Sequence, residues 1–189
     1  MQIYLVRHPT PQVETGTCYG QTDLALAESF EQELAMVKNK LNHLETAKIY
    51  SSPLQRCAHL AQHFSHMGEV CYDPRIMELN FGDWEMKKWS DIPKGAIDVW
   101  AEEHVMKAPP NGESFHALHL RAKALLSEIA LENTEVAVMF THAGVIRALL
   151  ADALALPLAE KGNFPTLIST PASFAFCSVI PTDDISGLV

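Results

Sequence analysis

The chain has 189 residues, which is long enough to bury a hydrophobic core in one domain without disulfides or bound metal. Apolar residues make up 48% of the chain and the formal net charge is -9, a composition typical of an acidic globular protein. The charge disfavours nucleic acids and anionic membranes as partners, because no basic segment compensates for it.

The four cysteines are scattered and form no Cys-x-x-Cys pair, which is typical of reduced thiols in a reducing compartment. Arg7 and His8 interrupt the apolar N-terminal run too early for a secretory signal. No other segment is apolar enough to span a bilayer. We therefore expect residues 1–189 to form a single cytoplasmic domain without a membrane partner, and a homodimer remains an open possibility.

Hydrophobic periodicity predicts that strands and helices alternate along the chain. Met1 to Val6 is an apolar run typical of a strand buried on both faces. The elements predicted after it are a helix at 28–44, a strand at 48–50, a helix from 51 to about 66, a strand at 69–72, helical pieces at 96–105, a helix at 113–132, a strand at 135–140, a helix at 145–156, a loop at 157–171 and a strand at 173–180. Residues 81–112 lack a clear period, and we expect them to form a lid-like excursion over the site. The alternation predicts an α/β fold of three layers with a doubly wound, mostly parallel sheet.

Side chains suited to bind an anion follow several of these predicted strands. Arg7 and His8 come directly after the first strand, and His142 follows the strand at 135–140. Arg56 lies near the start of the helix that follows the second strand. Ligands of open α/β sheets bind at the carboxyl ends of the strands, so we expect these four side chains to meet there.

This set of residues fits phosphoryl transfer through a covalent phosphohistidine. Guanidinium groups such as those of Arg7 and Arg56 bind phosphate oxygens in bidentate geometry. A neutral imidazole can attack phosphorus and thereby divide hydrolysis into two easier steps. The reaction also needs a carboxylic acid to protonate the leaving oxygen, and Glu78, Glu85 and Glu113 are the candidates in the sequence.

The motifs that carry these residues resemble the histidine phosphatase superfamily, also called phosphoglycerate mutase-like. They are Leu5-Val6-Arg7-His8, Ser51-Ser52-Pro53-Leu54-Gln55-Arg56, Glu78 with Phe81-Gly82-Asp83-Trp84-Glu85, Asn111-Gly112-Glu113-Ser114 and Thr141-His142-Ala143-Gly144. Their order matches that of the family and they span most of the chain. The resemblance implies a phosphoglycerate mutase-like fold and a phosphatase without a metal ion or other cofactor.

The resemblance also implies a role for each matched residue. His8 would be the nucleophile, and Glu78 would be the proton donor. Arg7, Arg56 and His142 would form the phosphate pocket, with His142 counted among the catalytic residues. A small-molecule phosphate ester is therefore the expected partner.

Within the superfamily, the loop at 16–23 is similar to that of α-ribazole phosphatases, which remove the 5′-phosphate of a cobalamin precursor. By this resemblance Gln21 would lie beside the phosphate or sugar, and Ala143 would contact the substrate. A broader sugar-phosphate or phosphoglycerate phosphatase is the alternative, since it would use the same core residues. The expected substrate is therefore α-ribazole 5′-phosphate, with these esters as competitors.

Three positions depart from the family pattern. Pro9 and Pro11 replace a usual glycine and threonine, so one backbone donor and one hydroxyl near the site are missing. Glu14 stands where an asparagine is usual, and an inward carboxylate there would discourage a second anionic group on the substrate. The two prolines also leave open a catalytically silent protein that only binds a phosphorylated ligand.

His59, His63 and His66 recur at helical spacing, a pattern that metal sites share. No cysteine or carboxylate completes a ligand set, and the inner face of the helix is already apolar. We expect these histidines to be exposed surface residues, and a metal-binding protein is the alternative that this pattern leaves.

Overall fold

The computed structural model describes residues 1–132, 134–158 and 174–178. The predicted loop at 157–171 falls outside the described residues except for its first two positions. No helix in the described ranges is long and apolar enough to cross a membrane.

A five-stranded sheet forms the centre of the molecule. Its strands are β1 (Gln2–Arg7), β2 (Lys48–Ser51), β3 (Val70–Tyr72), β4 (Val136–Thr141) and β5 (Phe174–Ser178), in the order β3-β2-β4-β1-β5. Strands β1 to β4 are parallel to one another, and β5 pairs with β1 in the antiparallel direction. The prediction of an α/β fold with a mostly parallel sheet is therefore confirmed.

Five α-helices accompany the sheet in the described residues. They are α1 (Phe30–Leu41), α2 (Gln55–Gln62), α3 (Lys94–Glu103), α4 (Phe115–Leu131) and α5 (Ala143–Ala153). The prediction placed the start of the second helix at 51, which is wrong. Ser51 is instead the last residue of β2 and pairs with Phe140 of β4, so α2 begins only at Gln55. That helix also ends at Gln62 rather than near 66.

The alternation of side chains along the central strands divides the core into two layers. Ile3, Leu5 and Met139 face one side and pack with α4 and α5, whereas Val6 and Phe140 face the other side with α1 and α2. Apolar side chains on both faces explain why β1 and β4 read as continuous apolar runs. The arrangement is three layers, with helices on both faces of the sheet.

The excursion predicted at 81–112 has its own small core. Trp84 is buried in it against Cys18, which comes from the loop after β1, and Trp89 and Trp100 pack against this pair. Its two ends lie against each other, since a Cβ added at Gly82 would come within 2.1 Å of the carbonyl of Pro110. A side chain does not fit at Gly82, whose φ of 54° also favours glycine.

Candidate active site

His8 lies directly beyond β1 and is only 3% exposed. Its backbone N–H donates to the carbonyl of Thr141, so the extended end of β1 fixes the residue beside β4. Nδ1 donates to the carbonyl of Pro9 at 2.7 Å. Because a carbonyl only accepts, Nδ1 carries the proton and Nε2 keeps a free electron pair. The backbone therefore holds this imidazole in the tautomer that a nucleophile requires.

Burial and two neighbouring cations keep His8 neutral. Burial lowers its pKa from 6.5 to about 3, with further lowering by the charges of Arg56 and Arg7. The hydrogen bond to Pro9 opposes this shift without reversing it. His8 is consequently an uncharged base throughout the physiological pH range, although it lies beside two guanidinium groups.

Arg56 is fully buried near the start of α2. Its Nη1 donates to the carbonyl of Thr22 at 2.9 Å and its Nη2 to the carbonyl of Gly20, while Tyr19 places its ring 5.7 Å from the guanidinium carbon. The buried Nε finds no hydrogen-bond partner within the part of the chain that the structure describes. An unpaired buried donor of a cation is costly, and a phosphate oxygen is well suited to accept from it.

Arg7 is half-buried at the end of β1, in the position next to the nucleophile candidate. Burial lowers its pKa, while electrostatic interactions with Tyr19 and Glu78 oppose that shift. Arg7 remains charged, since a guanidinium has an ordinary pKa far above neutrality. Arg7 and Arg56 both lie near enough to His8 for their positive charges to lower its pKa.

His142 lies between β4 and α5 and is fully buried. Its ring centroid is 5.0 Å from that of His8. Nε2 lies 2.8 Å from the hydroxyl of Ser52 and 3.4 Å from the thiol of Cys57. Burial lowers its pKa well below 6.5, and the neighbouring His8 and Arg56 add to that shift. A neutral imidazole thus lies beside the nucleophile candidate, where it is available as a hydrogen-bonding group.

Glu78 lies at the amino end of α5. Its two carboxylate oxygens accept hydrogen bonds from the backbone of Leu79 at 2.9 Å and of Gly144 at 3.2 Å. A Cβ at Gly144 would lie 2.2 Å from Oε1 of Glu78, so only glycine permits this close approach. The carboxyl group is therefore held against the residues that follow His142.

The other two acid candidates hold the structure together instead. Glu85 accepts hydrogen bonds from the backbones of Gly20, Gln21, Thr22 and Phe81 and from the hydroxyl of Thr22. Burial would raise the pKa of Glu85, but these donors outweigh it and lower the pKa. Glu113 forms an ion pair with Arg121 and accepts from the backbone of Asn80. Both carboxylates are committed to structural contacts, which leaves Glu78, whose carboxyl group binds the backbone two residues after His142, as the candidate acid.

Gln21 and Ala143, expected to contact the substrate, occupy different surroundings. The side-chain amide of Gln21 donates to the carbonyl of Glu78 at 3.1 Å, and it lies 3.4 Å from a carboxylate oxygen of Glu113. Gln21 is thus attached to the segment that carries Glu78. Ala143 is the first residue of α5 and is partly buried next to His142.

The structure explains how the chain accommodates the unusual residues after His8. Pro9 retains the carbonyl that orients the imidazole, so the missing N–H of proline does not disturb this contact. The backbone of Thr10 donates to the buried Glu33 at 3.0 Å, which holds the loop on α1. Glu14 is exposed and forms an ion pair with Lys88 at 2.7 Å. The condition for repulsion of a second anionic group, an inward carboxylate at Glu14, is therefore not met, because the side chain pairs at the surface.

Some residues near the histidines were not assigned to the site from sequence. The sequence places Ser52 in the first turn of the helix predicted from 51, and it assigns no role to Tyr19 or Cys57. Their partners, Arg56 and His142, lie far away in the chain or across the sheet, so no local pattern indicates these contacts. Such contacts become visible only when the fold brings the segments together.

The three histidines at the end of α2 are exposed. In the described ranges, no group of three or more His, Cys, Asp or Glu side chains is arranged to hold a metal ion. The site described above therefore consists of imidazole, guanidinium and carboxyl groups around one buried edge of the sheet. This combination can bind a dianionic phosphoryl group, attack it and protonate a leaving oxygen.

Comparisons with known proteins agree with this geometry. The model of the histidine phosphatase superfamily (branch 1) matches residues 3–176. The adenosylcobalamin/alpha-ribazole phosphatase of Salmonella typhimurium is 26% identical over 171 residues, which cover 87% of this chain and 85% of that protein.

Two solved structures are also similar over most of their length. Bacillus stearothermophilus YhfR superposes with a TM-score of 0.83 at 26% identity, covering 95% of this chain and 92% of that one. The mycobacterial glucosyl-3-phosphoglycerate phosphatase in complex with VO3 superposes with a TM-score of 0.81 at 28% identity, covering 94% and 92%. These relatives support phosphatase activity and a phosphoglycerate mutase-like fold. The chain belongs to the histidine phosphatase superfamily.

Proposed function

We propose that this protein hydrolyses a small-molecule phosphate monoester through a phosphohistidine formed on Nε2 of His8. The observation that carries the proposal is the tautomer of His8. Its Nδ1 donates to Pro9, its lowered pKa keeps it neutral, and Arg56 lies beside it with an unpaired buried Nε. A neutral nucleophile next to cations is the arrangement that attack on a dianion requires.

The first step forms the bond between Nε2 of His8 and phosphorus and breaks the bond to the leaving oxygen. Glu78, protonated at the start, gives its proton to that oxygen, so an alcohol departs. Arg7, Arg56 and His142 stabilise the charge on the equatorial oxygens as it redistributes. The step leaves a phosphorylated His8 and an ionised Glu78.

The second step regenerates the protein. Glu78 takes a proton from a water molecule as that water attacks phosphorus, and the bond between Nε2 and phosphorus breaks. Inorganic phosphate leaves and Glu78 is again protonated. We propose that no metal ion takes part, because the guanidinium groups of Arg7 and Arg56 supply the positive charge that the phosphoryl group needs.

For the substrate we propose α-ribazole 5′-phosphate. The loop at 16–23 resembles that of the α-ribazole phosphatases, and the Salmonella relative carries that name. The second candidate is glucosyl-3-phosphoglycerate, because the mycobacterial phosphatase named for it is similar at 28% identity. Identities this low support the reaction class more strongly than the substrate.

A comparison of kcat/KM on both esters and on a panel of sugar phosphates tests the proposal. We expect α-ribazole 5′-phosphate to be hydrolysed fastest, and His8→Asn to lose turnover on every substrate. Preference for another ester would contradict the assignment of the substrate only. Wild-type turnover by His8→Asn would contradict the mechanism, and failure to hydrolyse any ester would indicate a protein that only binds phosphorylated ligands.

A further inference from the structure

The segment that carries Glu78 belongs to no helix or strand. It connects a 3-10 turn at Pro74–Ile76 to another at Gly82–Trp84. A carboxyl group on such a segment is accurately placed only if side chains hold the backbone there. The structure shows which side chains do so.

Arg121 of α4 binds the backbone of this segment. Its Nη1 donates to the carbonyls of Arg75 at 2.7 Å and Met77 at 2.6 Å, and its Nη2 donates to the carbonyl of Glu78 at 2.9 Å. One guanidinium thus donates to three backbone carbonyls of the segment that carries Glu78. The planar, rigid fork of arginine suits such a contact, and the flexible ammonium of lysine does not reproduce it.

Glu113 fixes the orientation of this guanidinium. Its carboxylate forms a bidentate ion pair with Nε and Nη2 of Arg121 and also accepts from the backbone of Asn80 at 2.9 Å. Gln21 adds a second donor to the carbonyl of Glu78 from the opposite loop. The ion pair balances the charge of Arg121, so the proton donor lies beside a pair with little net charge.

We infer that the Arg121–Glu113 pair is a positioning unit that holds Glu78 where it can protonate the leaving oxygen. The inference rests on the proposed function and extends it to residues that act through the backbone of the Glu78 segment rather than on the phosphoryl group. A shift of about 1 Å in a reacting group can cost about 100-fold in rate. Because the pair acts through Glu78, its loss affects the substrates that depend most on protonation of the leaving oxygen.

The experiment compares two substrates that differ in this need. The leaving group of p-nitrophenyl phosphate departs readily as the anion, whereas that of an alkyl phosphate such as β-glycerophosphate must be protonated. The variants are Arg121→Met, Arg121→Lys and Glu113→Gln, with Glu78→Gln as the reference for complete loss of the acid. Arg75→Met is the matched control, since among the described residues its side chain pairs with the carboxylates of Asp73 and Glu128 and not with the carbonyls that Arg121 binds.

We expect Arg121→Met to lower kcat/KM on β-glycerophosphate by about 10- to 100-fold and on p-nitrophenyl phosphate by less than about threefold. The parameter compared is kcat/KM because it reports formation of the phosphohistidine and not the attack of water, which Glu78 assists for both substrates. Arg121→Lys should recover part of this loss. The ratio between the values for p-nitrophenyl phosphate and β-glycerophosphate should change in Glu113→Gln as it does in Arg121→Met. Arg75→Met should keep the wild-type ratio. Thermal denaturation of each variant shows whether it folds. If Arg121→Met does not fold, the ratio for Glu113→Gln decides.

An equal loss on both substrates, or a ratio that stays at the wild-type value, would overturn the inference while leaving the proposed function intact. If Glu78→Gln itself keeps the wild-type ratio, Glu78 is not the acid, and the inference fails with that part of the proposed mechanism. If His8→Asn retains turnover in the same assays, the proposed function fails independently of the ratio.

Discussion

Removal of the Ser52 hydroxyl is a sharp test of how His142 is held. Both residues are fully buried, and the hydroxyl lies 2.8 Å from Nε2 of His142 and 3.4 Å from the backbone nitrogen of Leu54. In Ser52→Ala, Nε2 of His142 and the backbone N–H of Leu54 therefore each lose one hydrogen-bond partner. Leaving buried polar groups unpaired costs about 1–3 kcal/mol, which in a chain of this size lowers Tm by about 2–12 °C.

The loss of this contact also affects catalysis, because the imidazole of His142 is then free to rotate away from the phosphate. We expect kcat/KM on p-nitrophenyl phosphate to fall by about tenfold or more, which corresponds to about 1.4 kcal/mol of transition-state stabilisation. Inhibition by vanadate should weaken in parallel, since the same imidazole binds the transition-state analogue.

Ser51→Ala is the matched control for this prediction. Ser51 is equally buried, but its hydroxyl donates to the carbonyl of Ser52 at 2.9 Å and, among the described residues, does not bind a histidine. We expect this variant to lose stability without a comparable loss of vanadate inhibition. If Ser52→Ala keeps wild-type Tm, kcat/KM and vanadate inhibition, or if both variants lose inhibition equally, the reasoning about His142 is wrong.

The remaining predictions concern Glu78, acid stability and metal ions. Gly144→Ala places a methyl group 2.2 Å from Oε1 of Glu78. We expect about a 100-fold fall in kcat/KM on β-glycerophosphate and a smaller fall on p-nitrophenyl phosphate, and equal falls in kcat/KM would contradict this placement. The folded-state pKa of His8 is about 3 against 6.5 when unfolded, so the unfolded chain binds an additional proton between these values and stability declines as pH falls through this window. Between pH 7 and pH 5, the free energy of unfolding of His8→Asn, followed by Tm, should decline less than that of wild type. The difference is up to about 1.4 kcal/mol per pH unit. Identical declines would refute the buried neutral imidazole. Activity on p-nitrophenyl phosphate should survive dialysis against EDTA and be inhibited by micromolar to millimolar vanadate; restoration of a lost activity by added metal would contradict the proposed mechanism.

The sheet was predictable because its central strands are buried on both faces. β1 and β4 appear in the sequence as uninterrupted apolar runs, and each is followed at once by a histidine. The carboxyl-edge rule then places His8 and His142 together, and their rings are indeed 5.0 Å apart. Strand and helix patterns are local in sequence, which is why they can be predicted without a structure.

Contacts between distant segments were not predictable in this way. Ser51 carries the helix-start signal of a hydroxyl before proline, yet its pairing with Phe140 makes it the end of β2. By residue type Glu78, Glu85 and Glu113 are all candidate acids, and in the sequence only the family resemblance favours Glu78. In the structure their hydrogen-bond partners distinguish them. Glu85 binds the loop 63 to 65 residues earlier, which no local pattern indicates.

The central claim is the covalent intermediate on His8, and rapid-quench mass spectrometry tests it most directly. Wild type and Glu78→Gln are mixed with p-nitrophenyl phosphate, quenched under basic conditions that preserve phosphohistidine, and digested for peptide mapping. We predict phosphate on the peptide that contains His8 within the first turnover, and none on that peptide in His8→Asn. Rapid turnover without a phosphorylated His8 peptide, together with wild-type activity of His8→Asn, would contradict the account.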